Sequence, residues 1–146
     1  MPVVIVTPMK WSRSPLQLFL LLLILTAGLT ILFGQSQNKV IIEMGSLWSS
    51  IWGGTLVISS IVCLAGSYWK DRISGMFIER SGTILLGGSS FLWPILVLIN
   101  VGIDGAYTAV STFIFSAFCF WHVVYINRHI HLILNAIDKA HEDENE

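Results

Sequence analysis

The feature that most constrains this chain is a set of four long stretches, residues 16–33, 47–69, 81–103 and 106–126, none of which contains Asp, Glu, Lys or Arg. A helix rises about 1.5 Å per residue, so the shortest of them reaches roughly 27 Å, close to the ~30 Å hydrocarbon core of a bilayer. Inside lipid every backbone N–H and C=O must be bonded within the protein, which leaves helices or a closed barrel. Barrel strands alternate polar and apolar residues over about ten positions. The run from Leu18 to Leu25 has no alternation. The expected fold class is therefore an all-α membrane protein with four transmembrane helices, joined as antiparallel hairpins and followed by an amphipathic C-terminal extension.

Composition agrees. Charged residues make up 12% of the chain, about half the ~25% of soluble domains. The formal net charge of -1 argues against nucleic acid as a partner, because binding a phosphate backbone needs clustered Lys and Arg. The lipid bilayer is the partner this surface implies. A cleaved signal peptide is the alternative for the first run, since Lys10 and Arg13 precede it. That run exceeds the 7 to 15 residues of an ordinary signal core and no convincing small-x-small site closes it before Gln35, so a retained anchor is expected.

Orientation follows from the eight basic residues. Lys10, Arg13, Lys70, Arg72, Arg80, Arg128 and Lys139 fall on one side of the four runs, and only Lys39 falls on the other. The positive-inside rule makes the basic side cytoplasmic. Both termini are then inside, with Lys10, Arg13, Lys70, Arg72, Arg80 and Arg128 as inner-interface anchors. Trp11, Tyr68, Trp69 and Tyr125 join them there, and Trp48, Trp52 and Tyr107 mark the outer interface. Trp93 is out of place, at mid-membrane. The organisation is 1–15 as a cytoplasmic N-terminal segment, 16–126 as the four-helix domain and 127–146 as a cytoplasmic amphipathic helix with an acidic tail.

Several features inside the runs have two readings. Ser49 with Gly53, Ser50 with Gly54, and the Thr108, Thr112, Ser116 stripe are small-residue faces. They serve packing within one copy or contacts between copies. Gly87, Gly88, Ser89, Ser90 and Pro94 form a soft stretch, because Pro94 frees the carbonyl of Ser90. That stretch is an ordinary membrane-helix irregularity or a hinge and polar pore lining. The segment 70–81 reads as an amphipathic cytoplasmic loop, with Glu79 and Arg80 as interface anchors of the third helix. The turn 100–105, rich in Gly with Asn and Asp, pairs the last two helices tightly.

Catalytic chemistry is hard to find. His122 and His129 are two turns apart, roughly 10 Å, too far to share one metal ion unaided. His122 is a hydrogen-bonded helix residue or a proton relay. Cys63 and Cys119 read as small buried hydrophobes rather than a disulfide or a nucleophile. No phosphate-binding loop, dinucleotide fingerprint or nucleophile elbow is present. Neither an enzyme nor a cofactor or metal site is expected.

The basic N-terminus (Lys10, Trp11, Arg13, Ser14, Pro15), the loop with Arg72, Gly75, Glu79, Arg80 and Gly82, and the turn Asn127, Arg128 together set a general layout. In that layout the chain resembles the small four-helix holin-like membrane proteins of actinobacterial phage lysis cassettes. The resemblance implies a multi-pass protein of the bacterial cytoplasmic (inner) membrane that forms a homo-oligomer and permeabilises or depolarises the membrane during host lysis. A regulator or a second lysis protein is the further partner it implies. The alternative is a non-pore accessory membrane protein: an antiholin-like regulator, a superinfection exclusion factor or a scaffold.

Overall fold

The computed structural model describes residues 15–34 and 39–145. Lys10 and Arg13 lie outside the described residues, as does Glu146 at the end of the acidic tail. Among the described residues every element is helical: α1 Pro15–Leu32, α2 Lys39–Glu43, α3 Ser46–Tyr68, α4 Arg72–Asn100, a 3-10 turn Gly102–Gly105, and α5 Ala106–Asn145. Three stretches are long and apolar enough to cross a membrane, Ser46–Tyr68, Ile73–Asn100 and Gly102–Ile137; the apolar part of α1, Gln17–Leu32, is shorter. Large apolar side chains such as Phe19, Phe33, Ile99, Ile103, Tyr107 and Trp121 stand on the outside. This is the surface of a membrane protein, since a water-exposed monomer rarely carries so much contiguous apolar area.

The long helices pack in succession: α1 on α3, α3 on α4, and α4 on α5. Lipid is as apolar as leucine, so this packing relies on close fit rather than on water exclusion. Small residues supply the fit. Gly28 of α1 faces Gly53 of α3, where an added Cβ on either would come within about 3 Å of the other's carbonyl oxygen. Gly66 of α3 meets Gly75 and Glu79 of α4 backbone to backbone, and Gly82 lies against Cys63. Between α4 and α5, the Ser116 hydroxyl donates to the Gly87 carbonyl at 2.8 Å.

Of the two small-residue faces on α3, Ser49 and Gly53 are buried, whereas Ser50 is exposed and Gly54 is half-buried, with only the end of Leu32 near the place of a Cβ. Ser49 donates to the Ile41 carbonyl at 2.8 Å and so ties α2 down. Thr108 and Thr112 are half-buried on α5, with the Thr112 hydroxyl turned back to the Thr108 carbonyl at 2.8 Å. The helix α2 is an addition to the expected elements. Its Val40, with Met44 just beyond its end, closes one end of the bundle against Trp93, Val97 and Ala109.

The segment expected as an interfacial loop, 70–81, is instead mostly helix. α4 begins at Arg72 and runs without interruption through Pro94 to Asn100. Asp71 caps it, accepting the Ser74 N–H at 3.1 Å and the Ser74 hydroxyl as well. Met76 in the second turn packs under Ile126 and Ile130 of α5, which holds the start of α4 against the C-terminal extension. A cap plus one buried anchor outweighs the charges that broke the apolar run.

The same cap carries a pH dependence. Its hydrogen bonds from Ser74, side chain first and then backbone, hold the Asp71 carboxyl below its ordinary value. A depressed folded value means the contribution is complete above the unfolded value of about 3.9 and is lost as pH falls through the folded one. Asp71→Ala is accordingly expected to lower the thermal midpoint slightly at neutral pH. The gap from wild type should close in strong acid.

Candidate functional site

The α4 face that turns inward is a regular stripe, Met76, Glu79, Thr83, Leu86, Ser90, Trp93 and Val97, and every member is buried. Spacing of three and four residues puts these side chains one above another on a helix. Glu79 therefore points into the bundle. It is only 5% exposed, which corrects its reading as an interface anchor. The stripe continues through it because Gly75 and Gly66 bring α4 close to α3 there.

Three helices meet at Glu79. Gln17 of α1 donates from Nε2 to Glu79 Oε1 at 2.6 Å. His122 of α5 lies on the other side, with its Nε2 3.3 Å from the same oxygen and 3.4 Å from Gln17 Nε2. The pair Glu79–His122 is an ion pair when the imidazole is protonated, and when it is neutral the Nε2–H tautomer donates to Oε1. His122 is thus hydrogen-bonded inside the bundle.

These groups line a cavity of about 240 Å³. Its floor is α4, with Glu79, Thr83 and Leu86; α1 and α5 form the flanks, with Leu20, Leu21 and Ile24 opposite Phe115 and Phe118. The cavity is partly open to the surroundings. Cys63 and Cys119 also border it, both as free, buried thiols. The Cys63 sulfur sits 3.6 Å from the Thr83 hydroxyl and 3.7 Å from the Glu79 carbonyl. Among the described residues no three His, Cys, Asp or Glu side chains come together to hold a metal ion.

The soft stretch of α4 lies further along the same helix. Gly87, Ser90 and Pro94 are buried, Gly88 and Ser89 half-buried. Next to it, Trp93 and Trp52 stack with ring centroids 4.2 Å apart and planes within 5°. That explains the mid-membrane tryptophan: Trp93 is an interior stacking partner, only 2% exposed, rather than a headgroup anchor. Trp52 shares that interior role. At the other margin, Lys70 and Arg128 are exposed and Arg80 is half-buried.

Comparison with protein-family models, with curated proteins and with solved structures gives no match to this chain.

Proposed function

We propose that the chain crosses the bacterial cytoplasmic membrane four times, with α1, α3, α4 and α5 as the spans and both termini cytoplasmic. In this reading it is a holin-like protein that assembles as a homo-oligomer and permeabilises or depolarises the membrane during host lysis. The observation that carries the reading is the buried Glu79–Gln17–His122 cluster, held in a cleft whose flanks, α1 and α5, belong to opposite edges of the bundle. Ionisable groups buried inside a membrane protein are expensive, and they characteristically serve ion or proton passage. Neighbouring copies that drew α1 away from α5 would turn this polar floor toward water. The basic residues on one side of the spans support the orientation.

A second reading rests on α5, which is 40 residues long, about 60 Å and twice a bilayer core. Its far part exposes Leu132, Leu134 and Ile137. That is a surface for a cytoplasmic partner, as an accessory regulator or scaffold would need. Induced expression in a bacterial host, followed with a potential-sensitive dye, separates the two. Abrupt depolarisation with growth arrest is expected; steady growth with abundant inserted protein would transfer the assignment to the accessory role.

A further inference from the structure

Both side-chain partners of Glu79 share Oε1. Among the described residues Oε2 has no protein partner, although the side chain is only 7% exposed and borders the 240 Å³ cavity. A carboxyl oxygen without a protein donor, reached from a largely apolar cavity, favours a ligand that brings one. Among the described residues no Lys or Arg lines the cavity. The titratable groups bordering the cavity with Glu79 are His122 and Cys119 from α5 and Cys63 from α3; Gln17 from α1 is neutral. Apart from the Thr83 hydroxyl, the remaining walls are aliphatic or aromatic.

This combination selects its ligand by exclusion. Anions are repelled by Glu79. Sugars and other polyhydroxylated molecules would leave most of their hydroxyls unpaired against Leu20, Leu21, Leu86 and Phe118. A metal ion lacks a ligand set among the described residues. What fits is a positive N–H donor joined directly to a compact hydrocarbon body, with Phe115 and Phe118 available to face the cation. We infer that the Glu79 cavity is a binding site for a lipophilic amine, whose ammonium donates to Glu79 Oε2 while its hydrocarbon fills the cleft between α1 and α5. Phosphatidylethanolamine shares the primary ammonium, but its phosphate follows two carbons later and would find no Lys or Arg in the cavity lining. The inference concerns binding and holds whether or not the protein permeabilises membranes.

The test uses the full chain in phosphatidylcholine nanodiscs and equilibrium dialysis of 1-naphthylmethylamine, with empty discs subtracted. Wild-type protein is expected to bind the amine saturably and about tenfold or more tighter than 1-naphthylmethanol, as one charge-assisted hydrogen bond implies. Glu79→Gln should abolish that preference while still binding the alcohol. Replacing part of the phosphatidylcholine with phosphatidylethanolamine should leave amine binding unchanged. Equal affinity of wild type for amine and alcohol would overturn the inference without reliance on any variant. So would an undiminished preference in Glu79→Gln, absence of saturable binding, or displacement by phosphatidylethanolamine.

Discussion

Gly66→Val is expected to prevent α3 and α4 from docking and to leave little natively folded protein. A Cβ at Gly66 would lie 2.8 Å from the Gly75 carbonyl oxygen and 2.9 Å from the Glu79 Cα. Those are backbone atoms, which cannot rotate aside as a side-chain end can. The two helices would have to separate, carrying Glu79 away from Gln17 and His122. Overpacking costs typically about 1–3 kcal/mol, and a backbone-to-backbone clash with a branched side chain belongs at or beyond the top of that range. Gly88→Ala is the matched control, because nothing lies within 4 Å of its added Cβ. Size-exclusion profiles in detergent should show a loss of monodisperse protein for Gly66→Val and none for Gly88→Ala. Equal behaviour of the two would mean that α3 and α4 do not approach through Gly66.

The second large effect is expected at Trp93. Truncating a buried tryptophan to alanine costs about 3–5 kcal/mol through lost contacts and the cavity left behind. Here it also removes the stack on Trp52 and the wall against which Val40 of α2 and the adjoining Met44 rest. Trp93→Phe should cost much less. Neither indole N–H, of Trp52 or of Trp93, has a hydrogen-bond partner among the described residues, so the phenyl ring gives up a buried donor that was not satisfied. Trp121, 74% exposed, provides the control, since its replacement by alanine changes only the outer surface. Unfolding midpoints in mixed micelles should rank Trp93→Ala far below Trp93→Phe, with Trp121→Ala near wild type. A Trp93→Ala midpoint equal to wild type would remove the stack from the account of stability.

The apolar runs are informative where lipid-like surface alone decides the outcome. The run 47–69 differs from α3, Ser46–Tyr68, by a single residue at each end. The third run starts at residue 81 when charges set its limit, whereas α4 starts at Arg72, because counting charges says nothing about a cap at Asp71 or an anchor at Met76. The Glu79 site is legible in principle. Carrying the three-and-four spacing backwards from Val97 through Trp93, Ser90, Leu86 and Thr83 lands on Glu79 and then Met76, so its side chain has to share the buried face. What spacing within one helix does not encode is which residues of other helices arrive opposite. Gln17 and His122 stand far from Glu79 in sequence, and their meeting depends on Gly66, Gly75 and Gly82 setting how closely α3 and α4 approach. The short α2 is hidden for another reason. Five residues are too few to show a period, and its Lys39–Glu43 pair at 3.5 Å reads equally well as an exposed loop.

The proposed four-span arrangement, with the Glu79 end of the bundle toward the cytoplasm, is tested most directly by cysteine labelling in intact cells. In a Cys63→Ala, Cys119→Ala background, single cysteines at Ile103 and Tyr107, at the α4–α5 turn, and at Lys70 and Arg128, at the opposite end, all fall on exposed positions. A membrane-impermeant maleimide added from outside should label positions 103 and 107 at once, and positions 70 and 128 only after the membrane is permeabilised. Labelling of both sets in intact cells, or of 70 and 128 in preference to 103 and 107, would contradict the arrangement.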